Sequence, residues 1–211
     1  MHPASAFHET DRVRLADFVG ARGLASIVGV YRGRPIAAAA PILLSDGVAR
    51  FHLSSRNALT AALVAGGAAL AIVMGDDAYV SPDWYAAADQ VPTWNYVSVE
   101  VEGPIRVTSR DETRRMLDDL SLHFEARLAP KPPWTRAKMR VETFEAMLGA
   151  ITGFEMTVER LEGTMKLSQN KPADEVRRVT ARLAERPDAG SQAISALMTA
   201  RSETPPSLPT A

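Results

Sequence analysis

Three clusters of polar side chains carry what chemistry this sequence offers. The first is His52-Leu53-Ser54-Ser55-Arg56-Asn57, which leaves an alternating strand and enters a short helix. Free backbone N–H groups at a helix start, two hydroxyls and a guanidinium make an anion seat, because guanidinium grips phosphate oxygens in bidentate fashion. The same residues also suit a plain capped loop with Asn57 as the N-cap, and spacing alone leaves both readings open. The second cluster is Tyr79-Val80-Ser81-Pro82-Asp83-Trp84-Tyr85 followed by Val91-Pro92-Thr93-Trp94-Asn95-Tyr96. It holds two of the three tryptophans and three of the four tyrosines. Rings at this density form a packed corner or a wall for a planar ligand, and spacing favours the corner. The third is Gly163 to Lys171, a strand end rich in donors, whose simplest reading is a solvated edge.

Other chemistries lack their residues. No GxGxxG, GxxxxGK[ST], HExxH or GxSxG pattern occurs. The four histidines, His2, His8, His52 and His123, have no ligand spacing, so no metal site is expected. No carboxylates pair in an apolar setting, and no catalytic acid, base or nucleophile can be named. The chain has no cysteine, which removes disulfides and thiol catalysis together.

Composition narrows the classes further. The 211 residues are 46% hydrophobic and 23% charged, the balance of an ordinary globular protein. Twenty-four basic and 25 acidic residues give a net charge of −1, so total charge gives no pull towards nucleic acid. No apolar run approaches the roughly 20 residues of a membrane span. Acidic residues stand where a signal peptide would have its apolar stretch. A cytoplasmic protein away from membranes is expected.

These clusters must be held by a mainly β scaffold with helices. Thr10 to Arg22 reads as a helix stopped by Gly23, with Leu15, Phe18 and Val19 on one face. Leu24 to Tyr31, Ile36 to Leu44 and Val48 to Leu53 read as strands joined by turns at Arg32-Gly33 and Asp46-Gly47. The alanines at 37–40 favour helix by propensity, but their place between a turn and Pro41 argues for strand. Ala58 to Ala65 is a short helix. Ala68 to Met74 and Ala78 to Ser81 read as two strands split by Gly75-Asp76-Asp77. Val97, Val99 and Val101 alternate with polar residues as a half-buried strand. Ser109 and Glu112 form a capping box, opening a helix with Leu117, Leu120, Phe124 and Leu128 on one stripe. A further helix covers Val141 to Leu148. Strands follow at Phe154 to Val158 and Thr164 to Leu167, then a basic helix from Asp174 to Arg186. A disordered tail is expected over 202–211. Many short strands without βαβ alternation predict a small antiparallel barrel with helical additions.

The segments Ala78 to Tyr85, Val91 to Tyr96, Leu161-Glu162-Gly163 and Lys166-Leu167-Ser168-Gln169-Asn170 together resemble the PaiB-type family, known as FMN-binding negative transcriptional regulators. His2-Pro3, Phe7 and Thr10-Asp11 fit as well. The resemblance covers roughly residues 1 to 185 and leaves 186–211 as a C-terminal helix and tail. It implies an α+β fold, a split β-barrel of the FMN-binding type, and an obligate homodimer with FMN at the subunit interface. It also implies that His52, Ser54, Ser55, Arg56, Asn57, Trp94, Asn95, Lys166 and Gln169 bind the cofactor, with the phosphate at Ser54 to Asn57. The strand start at Trp94-Asn95-Tyr96 and the valines at 97, 99 and 101 are expected at or near the dimer contact.

Two other function classes compete. One is an FMN-dependent oxidoreductase like the pyridoxamine-phosphate oxidases, in which the cofactor does the chemistry. The other is a haem protein, which needs His52 or His123 as axial ligand. DNA is a further partner that the family name implies. The residues offer it only basic groups, Arg127, Lys131, Arg136, Lys138 and Arg140, then Lys171, Arg177, Arg178, Arg182 and Arg186. No base-reading motif accompanies them, and for the second group a solvated helix on a dimer surface is the simpler reading.

Overall fold

A computed structural model describes residues 2–203. These residues form β1 (His8–Glu9), α1 (Arg12–Arg22), β2 (Leu24–Tyr31), β3 (Arg34–Ser45), β4 (Val48–Ser54), α2 (Ala58–Val64) and β5 (Ala68–Val80). There follow β6 (Thr93–Val107), α3 (Arg110–Glu125), α4 (Val141–Leu148), β7 (Ile151–Thr157), β8 (Arg160–Lys166), α5 (Ala173–Ala184) and α6 (Ala189–Glu203). Hydrogen-bonded strands neighbour one another in the order β1-β8-β6-β5-β2-β3-β4-β7, and β6 pairs with β7 as well. The second pairing makes β5-β2-β3-β4-β7-β6 a closed ring, the split barrel that the sequence predicts.

Local chemistry explains the hairpins. Tyr31 pairs with Arg34 across Arg32 and Gly33, whose φ angles are 51° and 74°. Ser45 pairs with Val48 across Asp46 and Gly47, at 52° and 74°. Two positive φ values in a two-residue loop define the type I′ turn, whose twist matches that of the flanking strands. The alanine run lies in β3, paired residue by residue with β2 from Ala37–Val28 to Ala40–Ala25. Tertiary pairing overrides helix propensity there.

The chain divides into two compact units. One, the barrel unit, comprises Asp11–Val73 and Val99–Leu161. Its core stacks Phe51 on Phe154, with centroids 5.4 Å apart, among Leu15, Val19, Ile27, Ile42, Val99 and Val101. Helix α1 is capped by Asp11, whose carboxylate accepts from Val13 and Arg14 N–H, and it ends on left-handed Gly23. Helix α3 has the expected capping box, Ser109 with Glu112. Its buried residues are Thr113, Met116 and Leu120, while Leu128 lies beyond the helix and is exposed. The stripe therefore runs one turn earlier than the leucine spacing suggests.

The other, terminal unit comprises the N-terminal segment to Thr10, Met74–Ser98 and the chain from Glu162. Its core is Ala78, Val80, Tyr85, Leu167, Val179, Leu183, Ile194 and Met198. Helix α6 follows α5 after four residues, inside the 186–211 segment expected to carry a C-terminal helix and tail; its Ile194 and Met198 fill this core. Ser202 and Glu203 belong to α6, and the remainder of the expected tail lies outside the described residues.

Two sequence expectations change. β5 is one strand rather than two, because Gly75-Asp76-Asp77 stays extended. The turn signal marks a change of parity instead: odd residues 69, 71 and 73 are buried before it, even residues 78 and 80 after it. Val97, Val99 and Val101 are at most 2% exposed within a single chain, so they are core and leave nothing for a partner to cover.

Candidate functional site

The first cluster sits where β4 ends. Ser54, Ser55 and Arg56 are exposed, and the Arg56 guanidinium has no hydrogen-bond or ion-pair partner among the described residues. The Ser55 hydroxyl hydrogen-bonds the Thr152 hydroxyl of β7 at 3.0 Å, which fixes one oxygen on the residue before Arg56. Asn57 caps α2, its Oδ1 accepting from Leu59 N–H at 2.9 Å. Thr60 donates to the Ser54 carbonyl at 2.8 Å and ties the helix back to the strand.

The backbone contributes less than the sequence suggests. Ser55 N–H donates to Ala150 O, Asn57 N–H to Ser54 O and Thr60 N–H to Asn57 O. Arg56 N–H is shared with the Ser54 hydroxyl at 3.4 Å. With α2 only seven residues long, its dipole is small. Side chains, chiefly Arg56 with the Ser54 and Ser55 hydroxyls, are therefore the donors this segment leaves to offer an anion.

His52 lies on the face of β4 that also carries Arg50, whose guanidinium reaches Asp119 of α3 at 3.2 Å. Its Nδ1 is buried without a hydrogen-bond partner. Burial holds the imidazole below its ordinary pKa, so near neutrality it brings no charge to an anion.

The residues expected from the other clusters lie in the terminal unit, and strand alternation separates them. Thr93 and Asn95 share one face of β6, and Trp94 is on the other. Trp94 is 52% exposed and meets Tyr79, 45% exposed, edge to face with centroids 6.0 Å apart. Asn95 is fully buried and hydrogen-bonds Ser168. The Gln169 amide turns inwards, accepting from Leu167 N–H at 2.7 Å and donating to the Met165 carbonyl. Lys166 donates to the Thr93 hydroxyl, and burial lowers its pKa from the usual amine value. Asn95 and Gln169 thus spend their amides on the chain itself, while Trp94 and Lys166 keep surface to offer. Thr93 and Lys171 stand in the second and third sequence clusters but are not among the residues that the resemblance assigns to the cofactor.

Comparison with known proteins decides the family. Residues 1–160 match the model of a family described as "Putative FMN-binding domain". The chain belongs to this FMN-binding family. Its cofactor is FMN. A relative from Bacillus subtilis (strain 168), "Protease synthase and sporulation protein PAI 2", is 25% identical over 94% of this chain and 96% of its own. Among solved structures, an FAD and heme binding protein from Mycobacterium smegmatis superposes with a TM-score of 0.59. It is 22% identical, over 81% of this chain and 78% of that one. The flavocytochrome Anf3 from Azotobacter vinelandii gives a TM-score of 0.56 at 16% identity, over 78% and 72% of the two chains. These two likenesses establish the split-barrel fold.

The residues present fit the cofactor's phosphate. An unpartnered, exposed guanidinium in sequence with two exposed serine hydroxyls is the donor set that a phosphate monoester needs. Among the described residues, no helix is long and apolar enough to cross a membrane.

Proposed function

We propose that this protein is a cytoplasmic homodimeric FMN protein of the PaiB type that acts as a negative transcriptional regulator or flavin-linked sensor. The observation that carries the flavin half is the open Arg56 guanidinium with Ser54 and Ser55, in a chain of the FMN-binding family. Arg56 grips the phosphate, the serine hydroxyls accept and donate around it, and Asn57 fixes the loop by capping α2. Bound FMN supplies electron-transfer chemistry and a visible spectrum. Kinship with the PAI 2 protein along nearly its whole length supports the regulatory half.

The homodimer is supported by a run of uncharged outward-facing residues on β2, β3 and β5. Outward residues of β2 and β3 pair as Val28 with Ala37 and Ser26 with Ala39, and β5 adds Leu70 and Ile72. Such a face, uncharged and rich in alanine, suits close approach by a second copy.

The test is an absorption spectrum of purified protein combined with light scattering and flavin titration. A flavin spectrum on a dimer is expected. Arg56→Ala should weaken FMN by about 10- to 150-fold, the loss of one charge-assisted bond. Unchanged affinity in that variant removes the phosphate assignment, and a stable monomer at micromolar concentration removes the dimer.

A further inference from the structure

Only four of the 24 basic residues are lysines: Lys131, Lys138, Lys166 and Lys171. Two of these lie five residues apart at the end of β8, in a chain that otherwise uses arginine. Both reach the same short stretch at the start of β6. Lys166 donates to the Thr93 hydroxyl, and Lys171 donates to the Gln90 side-chain oxygen at 2.5 Å. The Lys171 ammonium also sits 5.1 Å from the centroid of the buried Tyr85 ring.

The setting is unusual for lysine. Both side chains are half-buried, and among the described residues neither pairs with a carboxylate. Among the described residues, Asp174, three positions after Lys171, and Asp89, next to Gln90, pair with neither lysine. Lys131, by contrast, is exposed and paired with Glu125, and Lys138 is exposed. Taking an ammonium partly out of water without a counter-charge is unfavourable, and burial accordingly depresses the Lys166 pKa.

The backbone between the two lysines is braced. Ser168 adopts a left-handed φ of 59° and is held by Asn95, and Lys171 N–H donates to the Ser168 carbonyl. Gln169 satisfies the backbone at Leu167 and Met165. A non-glycine residue in this conformation is costly and persists only where its surroundings fix it. The result is two cations held on a rigid turn, facing a hydroxyl and an amide.

We propose that Lys166 and Lys171, with Thr93 and Gln90, form a site for a phosphate-bearing small ligand, separate from the Arg56 seat. Ammonium groups bind as point charges rather than as planar forks, so tetrahedral oxyanions suit them better than single carboxylates. The ligand completes the missing counter-charge. The inference does not depend on the Arg56 assignment, because every residue it uses lies in the terminal unit.

The experiment is acetylation footprinting of the intact protein by mass spectrometry, with inorganic phosphate, FMN and riboflavin as separate additions. Phosphate is expected to protect Lys166 and Lys171 several-fold and to leave Lys131 and Lys138 unchanged. Lys171→Met should weaken phosphate by about 10- to 150-fold, with FMN affinity retained. Equal labelling of all four lysines with and without phosphate overturns the site, and this measurement needs no variant to fold. Loss of FMN affinity in Arg56→Ala without phosphate protection of the lysines overturns this inference alone. Protection by FMN but not riboflavin, with FMN affinity intact in Arg56→Ala, overturns both the separate site and the Arg56 seat.

Discussion

Asn95 and Ser168, 73 positions apart, hydrogen-bond each other in both directions inside the terminal unit. The Asn95 amide donates to the Ser168 hydroxyl at 3.0 Å, and that hydroxyl donates back to Asn95 Oδ1 at 3.2 Å. Both residues are buried, and the amide also approaches the Met198 sulfur at 3.5 Å. One small polar ring therefore links β6, the turn after β8, and α6.

Removing half of this ring leaves the other half buried and unsatisfied. Asn95→Ala and Ser168→Ala should each cost about 1–3 kcal/mol, the penalty of an unmade buried hydrogen bond. The double variant should cost clearly less than the sum, because the second removal takes away the orphaned partner. Urea unfolding of the three variants measures the coupling, and strict additivity would show that the two residues act independently.

Gly103 fixes a crossing of strands in the barrel unit. A Cβ there would lie 1.8 Å from the Thr157 carbonyl oxygen, and Glu159 N–H donates to the neighbouring Glu102 carbonyl at 3.0 Å. Main chain cannot step aside as a flexible side chain can, so Gly103→Ala should destabilise by more than the ~1–3 kcal/mol typical of overpacking. Gly33→Ala, where open space surrounds the Cβ, should show only the strain of a positive φ. Comparing the two thermal midpoints separates steric from conformational cost.

Much of this architecture can be read from local sequence. Arg32-Gly33 and Asp46-Gly47 specify their hairpins, and Asp11, Asn57 and Ser109 specify helix starts, because each signal acts within a few residues. The misread features depend on distant partners. Gly75-Asp76-Asp77 looks like a turn, yet strand pairing keeps it extended and uses it to switch the buried parity of β5. A C-terminal helix after residue 186 is expected, but which face of α6 is buried becomes legible only through the core that Ile194 and Met198 complete. The candidate site follows the same rule. Trp94 and Asn95 read as one motif, but adjacent strand residues face opposite ways. The anion seat seemed rich in backbone donors until Ala150, far along the chain, claimed the Ser55 N–H.

Acid should act on stability in two separate steps. His52 has a folded pKa below 6.5 because burial disfavours its charged form. The unfolded chain therefore binds a proton first, and stability is complete above about pH 6.5 and declines as pH falls below it. Glu112 is held at about 2, mainly by hydrogen bonds from Arg106 and then from the Ser109 backbone. Its contribution is complete above its ordinary value of 4.5 and is lost between 4.5 and about 2. His52→Gln should flatten the upper part of the stability–pH curve and Glu112→Gln the lower part. A wild-type curve that stays level from pH 7 to pH 5 would contradict the first assignment.

DNA binding, where it occurs, should rest on fewer arginines than helix α5 contains. Arg182 is paired with Glu185 at 3.1 Å, and Arg186 with Asp188 at 3.0 Å. Arg177 and Arg178 remain exposed with no ion-pair partner among the described residues. A guanidinium already paired gains less from a phosphate, since one ion pair is exchanged for another. Each phosphate contact contributes about 0.9 to the slope of log affinity against log salt. Arg177→Gln with Arg178→Gln should therefore lower that slope by about 1.8, whereas Arg182→Gln should barely move it. Both residues lie outside the Arg56 seat, so FMN titration of the double variant should match wild type and serve as its folding control. Fluorescence anisotropy with duplex DNA across a salt series makes the measurement. A slope unchanged in the double variant would place the DNA-facing surface elsewhere on the protein.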